Sequence, residues 1–469
     1  MIASKWKELS AAILIQILAG ICLGTCITSP IVAQTASMAP TPPMGWNSYD
    51  AYGLTVTEAQ YKANAKVLAD LRTYGWQYAV IDEGWFLQNP QDAEHPETLK
   101  YTLDANGRLT PALNRFPSAA GDAGFVQLAN FTHSLGLKFG IHIIRGIPKE
   151  AVRNNLPIAG SSYHASDVAD TSDTCPWNPD NYGVKDSAAG QAWYDSLVTQ
   201  YAHWGVDFLK VDCIADHPYK AGEIRMIDSA IQKTGRPIVL SLSPGPTGLD
   251  HAAEVAEHAQ LTRIADDMWD GWTFPNPQGP DNGLLSAFDN LAKWAPYARP
   301  GFWPDADMLP WGSLTPHPGS GPPRQSRLTQ DEQRTQFTLW AIARSPLILG
   351  MNLIQLDEFN QSLITNKELI TLNQTVSDSH PVTAPSGEGA SNRIWIASTT
   401  GPKPKHYLAV FNLASSRVKF SAAWRDLGLS ASPHNAMDVW AGKLLSEELT
   451  TDGLSIPLAP HGCVLLRIE

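Results

Sequence analysis

The stretch FLKVDCIAD, residues 208–216, carries a lysine, an aspartate and a cysteine at the end of an apolar run. Lys210 and Asp212 are two residues apart, so on a strand their side chains share a face. Burying charge is expensive unless the charge is paired or used. A lysine beside the aspartate offsets it and can donate to a ligand. Other apolar runs end the same way: Tyr49 in GWNSYD, Asp82 in YAVIDEGW, His142 in KFGIHII, Ser243 in IVLSLS, Asp267 in RIADD and Asp307 in WPDAD. Asp82, Asp212, Asp267 and Asp307 facing one cavity would shift one another's pKa values. That pattern suits acid/base and nucleophilic work on a sugar, which needs one carboxyl ionised and another protonated. A divalent cation is the competing occupant of such a cluster. No HxH pair or EF-like loop accompanies it, so neither a metal nor a cofactor is expected. Each aspartate alone also fits a strand-end cap or turn; the recurrence points to a site.

Such residues meet only if parallel strands bring their carboxyl ends together. Helical patterns do precede β-like runs: FVQLANFTHSLG before KFGIHII, AGQAWYDSLVTQYAHWG before VDFLKVD, EIRMIDSAIQKTG before RPIVLSLS, and TQDEQRTQFTLWAIAR before SPLILGM. Thr55–Glu58 and Thr329–Glu332 fit capping boxes that open helices. This alternation predicts parallel strands with crossovers. Candidate strands lie near 43–49, 77–82, 138–144, 206–212, 237–243, 261–267, 301–307 and 346–350. They read as nearly continuous apolar runs, as in strands buried on both faces. Eight such units close a (β/α)8 barrel over 40–380, with a doubly wound open sheet as the alternative because the runs near 261 and 301 are weak in periodicity. Residues 86–125 and 145–187 are long insertions after strand ends, where barrels build their sites. From 385 to 469, short β-runs separated by turn residues predict an antiparallel β-sandwich.

The 469-residue length suits a barrel plus a smaller domain. A net charge of −12 with no Lys/Arg run excludes nucleic acid as a partner. The 16 tryptophans are read mainly as packing, although a flat indole also suits a sugar face. Lys5 and Lys7 precede an apolar segment ending at Ala33, the pattern of a signal peptide over 1–33. An uncleaved anchor is the alternative, disfavoured by the Gly, Pro and Thr that interrupt the segment; LGTC within it is a weak lipoprotein-like signal. No later run is long enough to span a bilayer, so no stable membrane association is expected after cleavage, and the product is secreted or periplasmic. After cleavage three cysteines remain. Cys175 with Cys213 is the candidate disulfide, leaving Cys463 free.

The motifs TPPMGWNSYD, VIDEGW, FLKVDC, RIADDMWDGW, PDADML and LWAIARSPLILGMNL occur in the order and rough spacing of the α-galactosidase-like glycoside hydrolases of family 27. From about residue 40 to the end, the chain resembles that family. The resemblance implies a retaining α-glycosidase acting on a carbohydrate. It makes Asp212 the nucleophile and Asp267 the acid/base, with Lys210, Arg263 and Asp307 binding sugar and Trp46 and Tyr49 forming an aromatic wall. Three positions depart from the family pattern. Its Asp-Asp pair is Asp82-Glu83 here. Ser243 stands where a Glu often reads the 2-substituent, and His142 where a tyrosine is usual. These departures keep α-N-acetylgalactosaminidase and β-L-arabinopyranosidase open beside α-galactosidase, with a non-catalytic sugar-binding barrel as a further reading.

Overall fold

The computed structural model describes residues 38–468 apart from 179, 217, 276–281, 383–391, 401–403, 428, 430–434 and 446–448. The expected signal peptide, 1–33, lies outside the described residues. Eight parallel strands make one sheet: β1 (Met44–Asn47), β2 (Tyr78–Ile81), β3 (Lys138–Ile144), β4 (Phe208–Asp212), β5 (Val239–Leu242), β6 (Leu261–Arg263), β7 (Trp303–Asp305) and β8 (Leu347–Leu349). Their order is β7-β6-β5-β4-β3-β2-β1-β8. A parallel bridge between Leu309, just past β7, and Leu349 of β8 curls the two ends together, so the sheet is a TIM-like barrel rather than an open one. The weak runs near 261 and 301 are strands of three residues each, too short for periodicity to register.

Helices α1 (Glu58–Asp70), α2 (Val126–Ser134), α3 (Ala188–Trp204), α4 (Ala221–Thr234), α5 (Ala252–His258), α6 (Leu284–Trp294) and α7 (Gln330–Ala343) lie between the strands. The chain stops α3 at Gly205 and α4 at Gly235, both left-handed, the conformation glycine adopts without steric cost. Thr329 and Glu332 form the expected capping box of α7. The Thr55–Glu58 expectation is corrected: the box of α1 is Thr57 with Gln60, while Thr55 sits in a preceding 3-10 turn and donates to the Tyr52 carbonyl. The spacing is the same, but the helix starts two residues later than the first threonine suggested.

The C-terminal strands are β9 (Val376–Val382), β10 (Asn392–Thr399), β11 (His406–Asn412), β12 (Val418–Ala423), β13 (Ala436–Asp438), β14 (Lys443–Leu444), β15 (Gly453–Leu458) and β16 (Cys463–Ile468). A six-stranded sheet, β9-β10-β11-β16-β13-β14, faces the pair β12-β15. The central strands of the six-stranded sheet, β11 and β16 with the middle of β10, are buried on both faces, with period 2. Trp395, Ala397, Tyr407, Ala409, Phe411 and Leu465 join the barrel's core, while Ile394, Leu408, Val410 and Leu466 pack under β12 and β15. Phe288 of α6 meets Phe411 edge-on at 5.1 Å, and Trp272 stacks on His461 at 3.9 Å. Trp440 donates its indole N–H to Thr338 of α7 and packs near Phe337. It is half-buried at this junction.

Because one sheet closes both cores, Phe411→Ala should destabilise the protein by about 3–5 kcal/mol. It should lower the melting of barrel and sandwich together; scanning calorimetry reading two independent transitions, with only one displaced, contradicts this.

Candidate active site

The barrel interior explains where the polar residues go. Tyr78, Val80, Phe208, Val239 and Leu261 form a separate buried apolar cluster on β2, β4, β5 and β6. Side chains two apart on a strand share a face. Continuing each strand by that step gives Asp82 after Tyr78 and Val80, Lys210 and Asp212 after Phe208, Ser241 and Ser243 after Val239, and Arg263 after Leu261. An apolar plug fills the lower barrel, and the carboxyl ends of the same strands turn polar above it.

Four of these groups make one charge network. Asp82, 2% exposed, accepts from Asn47 Nδ2 at 2.5 Å and from Lys210 Nζ at 3.0 Å. His142 is paired with Lys210 across β3 and β4, so its ring enters the same mouth. Its Nε2 lies 3.2 Å from Asp212 Oδ2 and 4.0 Å from Asp82 Oδ1. The Cys213 N–H donates to Asp212 Oδ1 at 2.5 Å. Burial alone would raise the pKa of Asp82 and Asp212. Lys210 and His142 at Asp82, and the His142 hydrogen bond and charge at Asp212, outweigh it and hold both carboxyls below the usual range. Burial would lower the His142 pKa, but its two carboxylate neighbours raise it, favouring the imidazolium.

A second group forms after β6 and β7. Arg263, 1% exposed, pairs with Asp307 at 2.9 Å and Asp267 at 3.3 Å. Asp307 accepts from the Met268 N–H at 2.6 Å, and the Asp307 N–H donates to Asp305 Oδ1 at 2.8 Å. Asn282 Nδ2 donates to the Asp267 carbonyl at 2.6 Å. The Asp267 side chain projects from the loop past β6 and is 57% exposed. Reduced hydration, then Asp307 and Asp212, raise its pKa against the pull of Arg263 and Lys210. Burial, with Asp307 adding, lifts Asp305 to about 6 despite Arg263. Cys213 and Asp307 have φ of 60° and 83°, uncommon for residues other than glycine. Each costs on the order of 1–3 kcal/mol and is fixed by its surroundings.

The other predicted positions divide. Tyr49 stands at the mouth, its ring 6.4 Å from that of Trp269. Its phenol pKa is raised by burial and then by Glu83, Asp267, Asp82 and Asp212. Glu83 is half-buried and accepts from Asn178 Nδ2 at 2.8 Å. Burial and nearby Asp212 and Asp82, against His142, lift its carboxyl to about 7. Ser243 is 1% exposed, and its N–H and C=O bond Val211 and Ile214. Trp46 does not join the site. Asn47 points to Asp82, so its neighbour Trp46 faces the helices, packs with Tyr52 and Tyr61 and donates to the Met351 carbonyl. Its expected place in an aromatic wall is corrected to a core position.

Sequence reasoning missed several supports. Arg145, 2% exposed, donates to the Cys213 carbonyl at 2.5 Å and pairs with Glu223 at 2.8 Å and Asp173 at 3.0 Å. Tyr194 and Lys220 complete this group through Glu223 and Asp173. It braces the residue after Asp212 from behind, and the arginine immediately after the β3 run was the available signal. Cys175 and Cys213 form the expected disulfide, Cα–Cα 6.0 Å, tying the 145–187 insertion to the same point; Cys463 is free. Asp50, 1% exposed, has no hydrogen-bond partner for either oxygen among the described residues, and burial and Asp307 raise its pKa. Asn178 and Asp180 link both insertions to Glu83, since the Tyr101 hydroxyl donates to Asp180 and the Asp180 N–H to Asn178.

The arrangement sets a carboxylate biased to stay ionised, Asp212, against a carboxyl biased to hold its proton, Asp267, with hydrogen-bonding cations between them. Such a pair can supply a nucleophile and an acid/base.

Known proteins share this frame. The Alpha galactosidase A profile matches residues 174–375, and the Alpha galactosidase C-terminal beta sandwich domain profile matches 390–468. The fold is similar to a GH27 β-L-arabinopyranosidase from Geobacillus stearothermophilus, at 41% identity and TM-score 0.84 over 93% of this chain and 98% of that one. It is also similar to a putative α-N-acetylgalactosaminidase from Bacillus halodurans C-125, at 37% identity and TM-score 0.78 over 91% and 97%. Alpha-galactosidase 2 of Arabidopsis thaliana is 27% identical over 92% of this chain and 90% of its own length. Sharing both domains and two-fifths of its residues with a GH27 enzyme, the chain belongs to the α-galactosidase-like glycoside hydrolases of family 27.

Proposed function

We propose that the protein is an exported retaining exo-glycosidase that releases terminal β-L-arabinopyranose. Asp212 attacks the anomeric carbon while Asp267 protonates the leaving oxygen; Asp267 then takes a proton from the water that opens the glycosyl-enzyme. Lys210, Asp82, Arg263 and Asp307 hold the ring hydroxyls, and Tyr49 covers one sugar face. Export is supported by the signal-like leader.

The observation that carries the choice of sugar is Glu83. It is one methylene longer than the family's aspartate, and Asn178 anchors its carboxyl at 2.8 Å, so it is not free to swing away. β-L-Arabinopyranose is galactose without its C6 hydroxymethyl, so it leaves room where Glu83 takes it. The similarity to the Geobacillus arabinopyranosidase supports this reading. α-Galactosidase is the second reading, supported by the Arabidopsis relative. A 2-acetamido group has less support: Ser243, the small residue that would make room for it, is 1% exposed.

The deciding assay uses protein lacking residues 1–33 on nitrophenyl β-L-arabinopyranoside, α-galactoside and α-N-acetylgalactosaminide, with Asp212→Ala as control. The arabinopyranoside should have the highest kcat/KM and the control none. A galactoside preference hands the assignment to the second reading, and sugar binding without turnover, unchanged in Asp212→Ala, restores a non-catalytic role.

Glu83→Asp should shift the ratio of kcat/KM toward the galactoside by about 10–200-fold, the discrimination that one methylene supplies. An unmoved ratio would show that Glu83 does not read this edge of the sugar.

His142→Phe removes both a cation and a hydrogen bond from Asp212. Both lower its pKa, so without them it rises, and the nucleophile needs more alkaline conditions to ionise. The acid limb of kcat/KM should move up by on the order of 1 pH unit or more. An unmoved limb in a pH profile excludes His142 as the group that tunes Asp212.

A further inference from the structure

We propose that a groove on the leaving-group side of the site binds the neutral oligosaccharide to which the released sugar is attached. This deepens the glycosidase reading and rests on it. The groove has a volume of about 850 Å³ and runs from Tyr49 between the segment 53–60, the 86–125 insertion and the loop 317–323. That volume lies in the range of specific small-molecule sites, ~300–1,000 Å³.

Its position relates it to the reaction. Tyr49 closes one end and also stands at the catalytic mouth. Trp269, next to Tyr49, follows Asp267 by two residues. Asp267 is the group that would protonate the departing oxygen, so the leaving chain has to pass on the side of the Tyr49–Trp269 pair. The groove opens beyond it.

Its chemistry selects the ligand. Gln88, Gln91 and Asn114 are exposed along it. The side-chain amides of Gln88 and Gln91 make no hydrogen bond among the described residues, and Asn114 uses one N–H on the Gln88 carbonyl. An amide donates and accepts, as does a sugar hydroxyl. Pro90, Pro318 and Pro323 add apolar faces for sugar C–H groups. The groove's one guanidinium, Arg115, is spent on the carbonyls of Leu54, Val56, Gly84 and Leu87. It fixes the floor and is not available to an acidic glycan; the exposed Glu94 would repel one.

The test compares the wild type with Gln88→Ala/Gln91→Ala on two substrates sharing the sugar that the aryl-glycoside assay selects. One is the nitrophenyl glycoside. The other is a neutral oligosaccharide of at least three further residues bearing that sugar at its end. Loss of the amides should lower kcat/KM on the oligosaccharide about tenfold, chiefly through KM, and leave the nitrophenyl glycoside unchanged. No fall on the oligosaccharide overturns the proposal, and so does an equal fall on both substrates. If no aryl glycoside is turned over, the glycosidase reading has failed instead. Calorimetry with the bare stem oligosaccharide then decides the groove: weaker binding to the variant supports it, and equal or no binding overturns it.

Discussion

The site depends on one constraint: Asp82, Lys210, His142 and Asp212 are charged groups held together above an apolar plug. None of them is stable there alone. Removing one partner of a buried pair typically costs about 3–5 kcal/mol, because the other is left uncompensated. The cluster is stable only with all its members in place, and that requirement fixes the register of β2, β3 and β4 at the mouth. It also divides the labour among the carboxyls. Lys210 and His142 keep Asp82 and Asp212 ionised, whereas at Asp267, past β6, burial and Asp307 outweigh Arg263 and it keeps its proton longer.

Much of this was legible in the sequence, for a physical reason. Strands buried on both faces must be apolar throughout, so a charged residue at the end of such a run stands out. Asp82, Lys210, Asp212 and Asp307 were found in this way, whereas Arg263 came only from the family resemblance. Trp46 was misplaced because a motif conveys adjacency and not orientation; on a four-residue strand, one step decides between the mouth and the helix layer. Asn178, Asp50 and Arg145 were missed for another reason. Their partners are remote in sequence or absent, and no local spacing marks a side chain whose role is to hold another. The short strands β6 and β7 had too few residues for periodicity and were recovered only by their place in the alternation.

The sandwich shows the same logic at larger scale. The central strands of its six-stranded sheet have no solvent face: one set of alternate residues completes the barrel core and the other completes its own. Hydrophobic burial of this kind is non-directional, so the junction takes its orientation from the polar contacts around it. His461 Nδ1 hydrogen-bonds Glu332, Thr335 donates to the His461 carbonyl, and Tyr407 donates to Glu368. Trp440 adds its hydrogen bond to Thr338 at the same junction.

The path Tyr101–Asp180–Asn178–Glu83 has a consequence for how such an enzyme can diversify. The groups that would break and make the glycosidic bond belong to barrel strands and their immediate ends. Glu83, the group that would meet the sugar's edge, is instead steadied from two surface insertions outside the repeating strand–helix units. Insertions drift faster than the scaffold and tolerate changes in length. A lineage can therefore exchange one pyranose for another by rewriting loops, while the barrel's catalytic ring passes unaltered from ancestor to descendant.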